Sequence, residues 1–97
     1  MIQSFATVGT RDIFDGTDSK TARRTCPRNL WTPARRKLDQ LNQAQRLGDL
    51  RAPPRNRLEK LGKDRAGQHS IRINDQYRVC FAWTDAGPAE VEIVDYH

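Results

Sequence analysis

The chain has 97 residues, enough for one domain with one modest core. An apolar fraction of 36% and a charged fraction of 30% suit a small sheet with one or two packed helices, and the lack of any apolar run of about 18 residues excludes a membrane-spanning helix. The net charge of +5 is uneven: residues 20–72 hold fifteen of the seventeen Lys and Arg against four acids (Asp39, Asp49, Glu59, Asp64), so the middle of the chain attracts a polyanion and the acidic ends repel one.

Met1–Phe5 reads as a short strand. Thr10 is placed to cap a brief helix over Arg11–Asp15, with Ile13 and Phe14 buried and Gly16 as its stop. Residues 17–30, rich in Thr, Ser, Lys and Arg and holding Pro27, read as an exposed basic loop. The longest helix follows, with Thr32 as N-cap, Pro33 in the first turn and Gly48 as the stop. Along it Ala34, Leu38, Leu41, Ala44 or Gln45, and Leu47 recur at helical spacing, with Arg35, Arg36, Gln40, Gln43 and Arg46 opposite. Ala52-Pro53-Pro54 fits neither helix interior nor central strand, so the chain crosses the molecule there. Arg57–Leu61 is a weak strand, and Gly62–Gly67 a flexible basic loop. From Gln68 to Ile73 the alternation is clean, with Ile71 and Ile73 on one face and Arg72 on the other. Asn74-Asp75 supplies turn chemistry. Tyr77, Val79, Phe81 and Trp83 then share one face, opposite Arg78, Cys80 and Ala82. Ala86-Gly87-Pro88 turns the chain again. In the last strand Val91 and Ile93 are in phase with Asp95 and His97, while Glu90, Glu92, Val94 and Tyr96 point the other way. The order predicts a single α+β domain over residues 1–97: helices on one face of a mainly antiparallel sheet, with the other face open to a ligand. Cys26 and Cys80 lack metal-binding spacing. With the absence of a signal peptide's apolar stretch, they indicate a reducing, cytoplasmic setting.

Several side chains that could handle RNA lie in these last strands. RNA carries its own nucleophile, the 2′-hydroxyl. An enzyme using it need only align the phosphate, remove the 2′ proton, stabilise charge on phosphorus and protonate the departing 5′ oxygen, and no metal or cofactor is required. His97 titrates near neutral pH. Arg78 can grip two phosphate oxygens. Asp95 can hold an imidazole in one tautomer. Tyr96 can bond a hydroxyl or stack on a base. Lys60, Lys63, Arg65 and His69 are further candidates. Period-two geometry puts Asp95 and His97 on the face opposite Tyr96, so their joint use requires the strand to curl or end at the sheet rim. The plainer alternatives are a frayed terminal histidine, a solvent-facing Arg78, a solvated Lys60–Arg65 loop and a structural His69.

The segment Leu58–Phe81 and the closing Val91-Glu92-Ile93-Val94-Asp95-Tyr96-His97 closely resemble the HigB branch of the RelE/ParE toxin superfamily. Met1–Phe5 and Leu47–Pro54 resemble it too. The resemblance covers nearly the whole chain and is weakest at residues 15–30. It implies a RelE-like fold with two N-terminal helices on a small curved sheet, and a type II toxin that enters the ribosomal A site and cleaves messenger RNA. It also implies a HigA-like helix-turn-helix antitoxin with which the toxin binds operator DNA and represses its own operon. By position Arg78, Asp95, Tyr96 and His97 match the family's active site, and Lys60 and Lys63 fall in its basic loop. Arg57, Arg65, His69 and Arg72 are then expected to contact RNA or the ribosome. Some relatives carry a histidine where this chain has Glu59-Lys60, which leaves His97 as the acid or base and Arg78 as the phosphate clamp. The alternative is a non-enzymatic, ParE-like inhibitor of DNA gyrase, which needs no such cluster. A third is a protein acting mainly as co-repressor.

Overall fold

The computed structural model describes residues 1–96. Three α-helices, α1 (Val8–Asp15), α2 (Lys20–Thr25) and α3 (Trp31–Gln43), precede four strands: β1 (Glu59–Lys60), β2 (Gln68–Arg72), β3 (Tyr77–Thr84) and β4 (Gly87–Asp95). The strands form one antiparallel sheet in the order β1-β2-β3-β4. Its helix-side face contributes Ile71, Val79, Phe81, Val91 and Ile93 to the core. Against them pack Ile13 of α1, Ala22 of α2, and Trp31, Ala34, Leu38 and Leu41 of α3.

The helical layer departs from the sequence expectation in four ways. First, α1 starts a turn earlier. Thr7 is its cap, accepting from the Thr10 amide at 3.2 Å. The Thr10 hydroxyl is buried instead, where it accepts the Ile93 amide at 3.0 Å. Second, the expected loop over residues 17–30 contains α2, capped by the Ser19 hydroxyl on the Ala22 amide at 3.0 Å. The Asp12 carboxylate accepts from Ser19 and Thr21 at 2.6 and 2.9 Å, and these bonds hold it below the usual carboxylate pKa. Third, α3 starts at Trp31, not after Thr32. A 3-10 turn over Arg28–Leu30 runs directly into it, and the Trp31 indole donates to the Cys26 carbonyl at 3.0 Å. Fourth, α3 ends at Gln43. Leu47 reaches the core edge from a separate 3-10 turn, Leu47–Arg51, whose start is fixed by Asp49 accepting the amides of Gln45 and Arg46.

In the sheet, Met1–Phe5 forms only a parallel bridge, Phe5 to Val91. The reason is a bulge in β4: Glu90 and Val91 together face Phe81, and Glu90 takes φ 53°. The bulge turns Val91 towards the N-terminal segment, where its amide donates to Ser4 and its carbonyl accepts from Ala6. The expected Arg57–Leu61 strand shrinks to two residues. The expected turn at Ala86–Pro88 is a two-residue turn at Asp85-Ala86, so Gly87 and Pro88 already belong to β4. The Asn74 turn forms as expected, with its side-chain oxygen accepting the amides of Gln76 and Tyr77 at 2.9 and 2.7 Å. Among the described residues no helix is long and apolar enough to cross a membrane.

Candidate functional site

Register decides which side chains meet on the open face. Arg78 lies opposite Val94 on β4 and Arg72 on β2, while Ser70 lies opposite Cys80 on β3 and Glu59 on β1. Period two therefore puts Glu59, Ser70, Arg72, Arg78, Cys80, Glu92 and Val94 on one side. Lys60 pairs with His69, and His69 with Phe81, on the helix side.

Arg78 is the most constrained of these groups. Its Nη2 donates to the Arg57 carbonyl at 2.6 Å, and its Nη1 lies 3.5 Å from the Glu59 carboxylate. The guanidinium carbon lies 5.6 Å from the centre of the Tyr96 ring, an attraction between cation and ring face. Its side chain is 11% exposed, and its Nε is buried without a hydrogen-bond partner among the described residues. Tyr96 is fixed beyond the end of β4 by its amide, which donates to the Gln76 carbonyl at 2.5 Å.

Beside this pair lies a cleft of about 320 Å³ lined by Glu59, Lys60, Leu61, Gly62, Lys63, Asp64, Arg65 and Tyr96. Its rim is built from residues 59–65, and two residues in this region adopt a left-handed backbone without being glycine: Arg57 at φ 46° and Lys63 at φ 52°. Such conformations cost about 1–3 kcal/mol and persist where neighbouring structure imposes them. Here the left-handed Arg57 presents its carbonyl to Arg78. Lys60 and Lys63 make no ion pair among the described residues, whereas Arg65 is engaged by Glu92 at 3.2 Å and Gln68 at 3.0 Å. Arg72 is paired with Asp75 in the turn.

The structure thus gathers Arg78, Tyr96, Lys60, Lys63 and Arg65 around one cleft, with the Arg57 backbone beneath and Arg72 next to Arg78 on the sheet. Asp95 sits opposite Tyr77 on the helix-side face, where Gln76 donates to it at 3.1 Å. His97 lies outside the described residues. His69 stands away from Arg78, its ring stacked on Phe81 at 6.3 Å. Burial and the Lys60 charge push its pKa below the ordinary histidine value. Sequence reasoning missed Glu59, the carboxylate nearest Arg78. The weak 57–61 strand held the signal, but not the register that chooses between neighbouring residues. Among the described residues no group of three His, Cys, Asp or Glu is placed to hold a metal ion.

The profile of a family described as the RelE-like toxin HigB of type II toxin–antitoxin systems matches residues 3–97. The chain belongs to the HigB-like toxin family. Toxin HigB-1 of Vibrio cholerae serotype O1 is 45% identical over 62 residues, 64% of this chain and 65% of that protein. An uncharacterised protein of Haemophilus influenzae is 40% identical over 57 residues, 59% of this chain and 56% of that protein. The matched stretches therefore span less than two thirds of either relative. Among solved structures, the YoeB–YefM complex from Staphylococcus aureus aligns over 100% of this chain and 98% of that one, with a TM-score of 0.60 at 13% identity. That likeness establishes the RelE-like fold for this HigB-like chain.

Proposed function

We propose that residues 1–97 act as one toxin domain that cuts messenger RNA on the ribosome, with no metal or cofactor, and so halts translation in the cytoplasm. One observation carries the proposal. A nearly buried guanidinium, Arg78, is held by the Arg57 carbonyl and the Tyr96 ring beside a cleft rimmed by Lys60, Lys63 and Arg65. That is the equipment for gripping a phosphodiester.

In this reaction Arg78 binds the non-bridging phosphate oxygens. Glu59, the carboxylate next to it, takes the proton from the 2′-hydroxyl. The 2′ oxygen bonds to phosphorus as the bond from phosphorus to the 5′ oxygen breaks, and His97 gives that oxygen its proton. The products are a 2′,3′-cyclic phosphate and a 5′-hydroxyl. Lys60 and Lys63 offset charge on the phosphorane, Asp95 orients His97, and Tyr96 stacks on a base. Arg57, Arg65, His69 and Arg72 extend the contact with RNA and the ribosomal A site. A HigA-like helix-turn-helix antitoxin, joined to the toxin on operator DNA, is the partner that silences it.

Brief induction followed by mapping of new transcript 5′ ends tests the proposal. Cuts confined to translated regions are expected for the native chain. Arg78→Ala should lower cleavage by about 10²–10³-fold, the usual cost of one preorganised charge-stabilising donor. Intact messenger RNA with blocked replication would favour gyrase inhibition and overturn it.

A further inference from the structure

A second groove, larger than the cleft, lies across β1 on the helix side of the sheet. It measures about 530 Å³ and is lined by Leu47, Gly48, Arg51, Leu58, Lys60 and His69, within the range of about 300–1,000 Å³ typical of small-ligand sites. We propose that it is a nucleotide subsite, taking one unstacked nucleotide of the RNA next to the phosphodiester held in the cleft. The proposal rests on the RNA-cleaving function above.

Three features select this occupant. The lining has two exposed cations, Arg51 and Lys60, and no carboxylate, and neither cation is ion-paired among the described residues. It offers apolar walls in Leu47 and Leu58, with an imidazole whose ring is braced on Phe81. Flat rings and apolar side chains flanked by cations suit a splayed base and its phosphate. Finally, the groove adjoins the cleft at Lys60, which lines both. β1 is the edge of the sheet and only two residues long, so little structure separates the two cavities and neighbouring nucleotides of one strand could occupy both. The Nδ1 of His69 is buried with no hydrogen-bond partner among the described residues. Such an orphaned polar atom on a groove-lining residue calls for an explanation, and a turn of the ring towards the groove would let a base edge or a bridging water supply one.

Gly48 gives a clean way to fill the groove. A Cβ built there meets no atom within 4 Å, so this groove-lining position accepts a side chain without displacing backbone, and the indole of Gly48→Trp is long enough to cover the groove. The full chain carrying Arg78→Ala, so that its production does not poison the expression host, is titrated with adenosine 5′-monophosphate while the histidine ring resonances are followed by NMR. The His69 signals should move saturably, inorganic phosphate alone should act about tenfold more weakly, and Gly48→Trp should remove the response. Unmoved His69 signals, an equal response to phosphate, or tighter binding of a Glu-rich hexapeptide would overturn the subsite. In a translation extract, Gly48→Trp with Arg78 intact should raise KM about tenfold and leave kcat little changed; an unchanged KM would overturn it as well. If the native chain cuts no translated RNA, the cleavage proposal falls, and the NMR titration still decides the groove.

Discussion

Asn56 links the core to the cleft, and its replacement should damage both. The side chain is fully buried. Its amide nitrogen donates to Gln40 Oε1 at 3.1 Å, the Leu50 carbonyl at 3.1 Å and the Ala52 carbonyl at 3.2 Å, and its oxygen accepts Lys37 Nζ at 2.5 Å. The chain crossing at 50–57 is thus tied to α3, and Arg57, which follows, presents its carbonyl to Arg78. In Asn56→Ala the Ala52 carbonyl keeps Gln40 Nε2 at 2.5 Å as a donor. Gln40 and Lys37, both half-buried, can turn towards water. The Leu50 carbonyl loses the Asn56 donor, a cost of about 1–3 kcal/mol for a buried acceptor. The void left by the missing carboxamide and the lost charge-assisted bond add about 1 kcal/mol more after that relaxation. The expected loss is therefore about 3 kcal/mol in urea unfolding, a large share of the stability of a domain this size. Asn56→Asp should be no better: it keeps the acceptor for Lys37 but turns oxygens towards two carbonyls. A loss below about 1 kcal/mol for Asn56→Ala would refute the claim that this network holds the crossing in place.

Two further perturbations test other parts of the molecule. Helix propensity alone says that Gly9→Ala in α1 should stabilise by about 1 kcal/mol. The opposite is expected, because the new Cβ would lie 2.6 Å from the Thr21 carbonyl of α2, and a backbone clash of this kind costs about 1–3 kcal/mol; a raised melting temperature would show that α1 and α2 do not pack this closely. The second concerns pH. Burial first, and the Lys60 charge second, lower the His69 pKa from its ordinary 6.5, so the unfolded chain takes up this proton before the folded one does. The stability tied to the neutral ring is complete above the unfolded pKa and is lost as pH falls through the folded pKa. The urea midpoint should therefore drop on acidification below pH 6.5, and drop less in His69→Gln; equal drops would remove His69 as a source of the pH dependence.

Much of the fold was legible because the sheet repeats at period two and α3 buries a regular stripe. Ile71, Val79, Phe81, Val91 and Ile93 were on the expected face. Asn74 made the expected turn, and Gly16 ended α1 at φ 78°. What escaped was short or non-local. α2 has six residues and one buried side chain, Ala22, too little for a periodic signal. Thr7 and Thr10 are both good caps, and the choice between them was made 83 residues away, where the Ile93 amide needed the Thr10 hydroxyl. The bulge at Glu90 has no glycine to announce it, so alternation alone suggests a strand over residues 1–5 where a single bridge forms.

The candidate site had a sharper limit of the same kind. Arg78 and Tyr96 could be placed together from alternation, since both lie in or just beyond long paired strands. Glu59 and Lys60 could not be separated, because a one-residue slip of β1 exchanges their faces. The register that separates them is set by groups flanking this two-residue strand. The Leu61 amide donates to the Gln68 carbonyl at 2.9 Å, the Leu61 side chain is 8% exposed, and Glu59 meets Arg78 across the open face. Slipping β1 would drive the Glu59 carboxylate towards Phe81 and pull Leu61 out of its buried position, two changes that oppose the slip on independent grounds. The same register puts Lys60 on the helix side at the sheet edge, where it borders both the cleft and the second groove. A carboxylate beside the phosphate clamp and a lysine shared by two cavities are thus two consequences of one strand register.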